Sequence, residues 1–223
     1  SAADGGDVLI HALPIFHVHG LFVASHGALL NGSKMIWFSK FDPKATVERI
    51  ASGDATVFMG VPTLYVRLLA EPSLTKDACA RMRLFVAGSA PLLPDTFYDW
   101  QTRTGHTIVE RYGMSETVML TSNAYRLKDG LRTAGTVGKA LPGVSVRICN
   151  DDGTPAGVDE IGGIQVRGPN VFEGYWRMPE KTAEEFTADG WFKTGDVGKI
   201  DEQGVVTIVG RSKDLIITGG YNV

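Results

Sequence analysis

The chain has 223 residues, a net charge of −3, and 43% hydrophobic against 21% charged residues. That length holds one large domain or two small ones with a sizeable core, and the composition excludes a disordered chain or a basic nucleic-acid-binding surface. The two cysteines, Cys79 and Cys149, form no CxxC pair, which argues against a disulfide scaffold or structural zinc. No apolar run reaches the roughly 20 residues of a membrane span, and no secretory signal pattern opens the sequence.

In the first half, short apolar runs alternate with helical patterns. Val8–Leu13, Lys34–Phe38, Ala55–Met59, Arg83–Ala87 and Thr107–Arg111 read as strands. Asp42 and Pro43 supply an N-cap and a first-turn proline for a helix carrying Val47, Ile50 and Ala51. Pro62–Leu69 and Pro94–Thr104 read as helices for similar reasons. Strands alternating with helices imply βαβ units and a mainly parallel α/β sheet. Ligands bind beyond the carboxyl ends of such strands, so the turns after Ala87 and Arg111 are the first candidates.

The second half changes character. Val144–Ile148, Ile164–Arg167 and Gly204–Val209 read as β segments, with turns at Asp151–Gly153, Asp189–Gly190 and Asp201–Gly204. One short helix fits Pro179–Phe186. The expectation is a smaller antiparallel β subdomain, with a boundary in the polar stretch 125–132. Of the 27 glycines, nine lie in residues 1–112 and eighteen in 113–223.

Three phosphate or nucleophile signatures are absent: GxxxxGK[ST], GxGxxG and GxSxG. His17 and His19, two apart, would face different sides of a helix, so a loop and helix start is the expectation there and not a zinc pair. The segment Arg111–Thr117 offers a ring, a glycine, two hydroxyls and one carboxylate. A ring can stack on a nucleobase, a hydroxyl can donate to phosphate, and a single carboxylate suits Mg²⁺ that also takes phosphate oxygens. Gly88-Ser89-Ala90-Pro91 allows close approach of a flat ligand. In Trp191–Asp196 the carboxylate could accept from a vicinal diol, and Arg211 could reach a ribose or phosphate. Each of these, alone, is equally an ordinary turn or cap.

Together they resemble a family. Leu13–Gly20, Ala87–Pro91, Arg111–Thr117, Gly168–Trp176, Trp191–Asp196 and Gly210–Asp214 occur in the order and spacing of the AMP-forming acyl-CoA synthetases of the adenylate-forming superfamily. Within it, Gly60–Arg67, Glu110–Met114 and Thr218–Val223 most resemble the malonyl-CoA synthetases. The resemblance implies an ATP-dependent acid–CoA ligase. A carboxylate attacks the α-phosphate of ATP, giving an acyl-adenylate and pyrophosphate; the thiol of coenzyme A then displaces AMP. No covalent protein nucleophile is needed.

By the same resemblance, Gly88, Ser89 and Ala90 line the adenine and acyl side. Tyr112, beside Gly113, stacks on adenine. Ser115 contacts the α-phosphate, and Glu116 holds Mg²⁺. Asp196 binds the ribose hydroxyls with help from Arg211. Lys213 is the hinge, His17 gates the acyl group, and Gly219 and Gly220 line the pantetheine passage. Arg67 and Arg111 are the candidates for the second carboxylate of malonate, since arginine grips carboxylates bidentately. A structural ion pair, with Glu110 or Glu71, is the competing role.

The implied division is 1–128 as an α/β subdomain incomplete at its N-terminus, 129–211 as the β subdomain and 212–223 as a hinge to an absent C-terminal domain. Without the family's phosphate loop and C-terminal lysine, such a piece is expected not to turn over alone. Another short-chain or aryl acyl-CoA synthetase, or a non-catalytic nucleotide-binding relic, are the alternatives. The expected partners are a small carboxylic acid, ATP and coenzyme A, with no nucleic acid or membrane. The expected compartment is the cytoplasm, or an organelle matrix in a eukaryote.

Overall fold

A computed structural model describes residues 6–212, together with two short strands at Ile217–Thr218 and Tyr221–Asn222. The five expected parallel strands form at β1 (Val8–His11), β2 (Lys34–Trp37), β3 (Val57–Gly60), β4 (Leu84–Ala87) and β5 (Ile108–Tyr112). Short antiparallel strands β6 (Thr121–Ser122) and β7 (Lys139–Ala140) extend the same sheet, giving the order β2-β1-β3-β4-β5-β6-β7. The sheet therefore continues past the expected boundary near 128.

Register explains the core. Ile10 pairs with Phe58, Phe58 with Phe85 and Phe85 with Ile108, so one row of large apolar side chains crosses four strands. Three helices cover that row: α2 (Pro43–Ala51), α3 (Pro62–Leu69) and α4 (Pro94–Thr104), through Val47, Ile50, Tyr65, Leu68 and Trp100. All three start on proline, and the Asp42 carboxylate accepts from Ala45 N at 2.7 Å as the α2 cap. Alternation sends Leu9, Val57, Leu84, Val86 and Val109 to the other face, where Ala24 and Ala28 pack. Those alanines belong to a π-helix, His19–Ser25, running into α1 (His26–Leu30).

The second sheet has the order β11-β10-β9-β8: β8 (Ser145–Cys149), β9 (Gly162–Arg167), β10 (Phe192–Ile200) and β11 (Val206–Arg211), all antiparallel. Helix α5 (Pro179–Glu185) lies between β9 and β10. Ile164, Val166, Phe192 and Val206 share one core with Tyr112, Leu120 and Val137 of the first unit. The two sheets are also stitched by Val137 N to Val206 O at 2.9 Å and Val206 N to Gly138 O at 2.8 Å. Strand β10 runs through the Trp191–Asp196 motif and on to Ile200, where no strand is expected from the sequence. Its pairing to β9 breaks between Lys193 and Val197, the irregularity that hides the strand's alternation.

Candidate active site

The strand order places β1 between β2 and β3, so the connections leave β1 and β3 towards opposite sides. A crevice opens at such a switch point, beyond the carboxyl ends of the strands. It is found there: a cleft of about 460 Å³, within the range of small-ligand sites. His17, His19, Ser89, Ser115, Glu116 and Arg211 line it.

After β1 the chain passes through the cleft wall into the π-helix. Gly20 is required here, because a Cβ would sit 2.2 Å from the Pro14 carbonyl oxygen. His11 of β1 fixes the same point: its Nε2 lies 3.0 Å from both Gly20 O and Ser25 Oγ. Ser25 Oγ also donates to Gly20 O at 2.9 Å. π-Helical turns are enriched at functional sites, and this one presents His19. The ring is 8% exposed, with Nδ1 3.0 Å from Ser89 Oγ. Burial, aided by the nearby Arg111 cation, lowers its pKa to about 4, so it is neutral at physiological pH. His17, the expected gate, also lines the cleft but is exposed.

The turn after β4 carries Gly88, Ser89 and Ala90. Ser89 has a positive φ of 69°, a strained conformation for a non-glycine residue, costing about 1–3 kcal/mol. The turn after β5 is held more tightly. A Cβ on Gly113 would lie 2.0 Å from the Val118 carbonyl oxygen. Val118 has φ 58°, an outlier for a β-branched residue. This fold of the loop leaves Ser115 and Glu116 on the cleft wall. Among the described residues Glu116 is the one carboxylate lining the cleft, and its Oε1 accepts from the Tyr175 hydroxyl at 3.0 Å.

Tyr112 and Asp196 meet beside the cleft. The Tyr112 hydroxyl donates to Asp196 Oδ2 at 2.5 Å, and Arg211 Nε lies 3.2 Å from Asp196 Oδ1. Both Tyr112 and Asp196 are 7% exposed, so Arg211 is the member of this trio that faces the cleft. Burial first, then the Asp196 charge, raises the Tyr112 pKa and keeps the phenol protonated.

The two arginine candidates separate. Arg111 sits on β5, lines a small recess with His19, Gly88, Ser89 and Gly113, and keeps an enclosed Nε with no partner. Burial lowers its pKa. No carboxylate among the described residues pairs with it. Glu110 does not, because adjacent strand residues face opposite sides. Glu110 is instead buried on the helix side, where desolvation pushes it up to about 7 against the backbone N–H groups of Leu92 and Gly135. Arg67 lies in the exposed last turn of α3, its guanidinium 4.8 Å from the Phe41 ring. Helix α3 starts at the cleft end of β3 and runs away from it, so Arg67 does not reach the site, and it is corrected here to a surface residue. Lys213, Gly219 and Gly220 lie outside the described residues.

His19, His11, Asn170 and Tyr175 were missed in the sequence. The one sequence signal near His19 is the glycine that follows it, since a Cβ on Gly20 would meet the Pro14 carbonyl oxygen.

Residues 1–176 match the model of the family described as AMP-binding enzyme. The chain is 41% identical over 236 residues to a malonate–CoA ligase of Arabidopsis thaliana, covering 97% of this chain and 38% of that protein. It superposes on ATP-bound MatB from Rhodopseudomonas palustris with a TM-score of 0.94 at 58% identity, covering 98% of this chain and 43% of that one. A malonyl-CoA ligase solved with methylmalonyl-CoA and AMP gives 0.84 at 42% identity, over 98% and 47%. The chain thus spans less than half the length of these relatives. With the switch-point cleft and its Tyr112–Asp196 and Ser115–Glu116 pairs in place, the match over most of its length settles the lineage: the chain belongs to the AMP-binding enzyme family.

Proposed function

We propose that the protein carrying this chain joins a short dicarboxylic acid, malonate foremost, to coenzyme A through an acyl-adenylate made from ATP. One observation carries the choice of acid: Arg111, in the small recess adjoining the cleft, with an enclosed Nε that has no partner and no carboxylate paired to it among the described residues. An unpaired buried cation is costly, and a substrate carboxylate would relieve it. The neutral His19 beside it adds no competing charge. The similarity to proteins named malonate–CoA ligase and MatB supports the same reading.

The remaining residues divide the work. Asp196 accepts from the ribose hydroxyls, with Tyr112 fixing its carboxylate and Arg211 turning from it to the cleft. Tyr112 also borders the adenine side with Gly88, Ser89, Ala90 and Gly113. Ser115 donates to the α-phosphate. His17, at the open rim, borders the acyl group. Glu116 suits Mg²⁺, which commonly takes one or two carboxylates and completes its shell with phosphate oxygens and water. The ion, when bound, neutralises phosphate charge. No protein nucleophile is required: the acid oxygen forms a bond to the α-phosphorus as pyrophosphate leaves, and the thiol sulfur then forms a bond to the acyl carbon as AMP leaves. Alignment and charge neutralisation supply the rate. Lys213 as hinge, with Gly219 and Gly220 along the coenzyme A passage, completes the scheme. No helix among the described residues is long and apolar enough to cross a membrane.

The test is acid-dependent ATP–pyrophosphate exchange by the full-length protein, with malonate, methylmalonate, acetate and a fatty acid. Malonate is expected to give the highest kcat/KM. Preference for acetate or a fatty acid would assign another acyl-CoA synthetase specificity. No exchange with any acid would leave a nucleotide-binding relic.

A further inference from the structure

The segment Gly168–Trp176 has no role in the scheme above, yet it touches the phosphate-side loop at four points. Asn170 Nδ2 donates to the carbonyls of Thr117 at 2.8 Å and Met119 at 2.9 Å. These are the two residues flanking Val118, the β-branched residue held at φ 58°. Only the amide NH₂ can satisfy two carbonyls, which fixes the orientation of Asn170 and leaves its buried Oδ1 without a partner. Phe172 N donates to Glu116 O at 2.8 Å, and the Tyr175 hydroxyl donates to Glu116 Oε1 at 3.0 Å. The Tyr175 ring is itself set by an edge contact with Phe172, centroids 4.8 Å apart.

A backbone outlier persists only where its surroundings over-determine it. Here the two amide bonds straddle the outlier, and the strained turn is what puts Ser115 and Glu116 on the cleft wall. We infer that Asn170 and Tyr175 are positioning residues for the adenylation step: Asn170 holds Val118 in its strained turn, and Tyr175 orients the Glu116 carboxylate. The inference rests on the proposed role of Glu116 at the metal.

Groups that orient a metal ligand commonly cost about 10–100-fold in metal affinity when removed. In the full-length protein with ATP bound, Mn²⁺ affinity measured by electron paramagnetic resonance should fall about tenfold in Tyr175→Phe. Metal-free ATP affinity should stay within about twofold, a split that general loosening of the fold would not give. Adding Tyr175→Phe to Glu116→Gln should cost nothing further, because one acts through the other. If Glu116→Gln weakens Mn²⁺ and Tyr175→Phe does not, this inference fails while the metal role of Glu116 stands. If Glu116→Gln leaves Mn²⁺ binding unchanged, both fail. For Asn170, the rate of pyrophosphate exchange should drop about tenfold in Asn170→Ala, but less than about twofold when Asn170→Ala is added to Val118→Gly, which removes the strain. An equal loss in both backgrounds would overturn the role of Asn170.

Discussion

The two sheets contribute to the cleft in different ways. The parallel sheet supplies His19, Ser89, Ser115 and Glu116 from the loops beyond its strand ends, and Arg111 from β5 itself in the adjoining recess. The antiparallel sheet and its loops contribute Arg211 to the lining, and otherwise act from behind: Asp196 holds the Tyr112 hydroxyl, Tyr175 the Glu116 carboxylate, Asn170 the loop at Val118. The strained positions at Ser89 and Val118 both lie in loops of the parallel sheet, and each is braced by a side chain from elsewhere. The difference teaches that most groups lining the cleft come from the parallel unit, while the other unit adds Arg211 and braces the loop at Val118 and the Glu116 carboxylate.

That division can be broken at its seam or sharpened on either side. The largest effect is expected for Asp196→Ala in the full-length protein. It removes the acceptor for Tyr112 and for the proposed ribose contact, so ATP affinity measured by calorimetry should fall on the order of 10²-fold. A fall below about threefold would place the nucleotide elsewhere.

Next is Glu110, within the parallel unit. Its pKa is raised from 4.5 to about 7. Between those values the folded state keeps a proton that the unfolded state has lost, so its contribution to stability declines as pH rises through that window. Denaturant titrations from pH 4.5 to 8 should show Glu110→Gln gaining about 3 kcal/mol relative to wild type. A pH-independent difference would contradict a carboxyl whose desolvation outweighs its two backbone hydrogen bonds.

In the antiparallel unit, Arg147 and Arg167 stack on Trp191, with guanidinium carbons 4.3 and 4.7 Å from the ring centroid. Trp191→Ala should cost about 1–2 kcal/mol of stability, from two partly exposed cation–π contacts, with little change in ATP affinity. The smallest effect is expected for Arg67→Ala: kcat/KM for malonate within about twofold of wild type, as befits a surface residue. A large loss there would restore Arg67 to the site.

Much of the parallel unit was legible in the sequence. Uninterrupted apolar runs mark its strands, and a proline at the first turn fixed the starts of α3 and α4. The antiparallel unit was less so. In β10 the pairing to β9 breaks between Lys193 and Val197, so its nine residues carry no alternation by which the sequence would mark a strand. Of the expected site residues, Ser115, Glu116, Ser89, His17 and Arg211 line the cleft. Arg67 did not, because placing a charge on the right helix says nothing about which end of that helix it occupies. His19 was hidden because its inward turn depends on a π-helix, for which sequence periodicity gives no signal. Asn170 and Tyr175 act across 51 to 59 residues of chain, on carbonyls and a carboxylate that only the folded contact identifies.

The most direct measurement concerns Arg111. In the full-length protein, kcat/KM for pyrophosphate exchange is measured with malonate and with acetate, in wild type and Arg111→Leu. Losing the cation should lower the malonate value on the order of 10²–10³-fold and leave the acetate value nearly unchanged, collapsing the preference. Equal losses for both acids, or retained preference for malonate, would contradict the assignment of Arg111 to the second carboxylate.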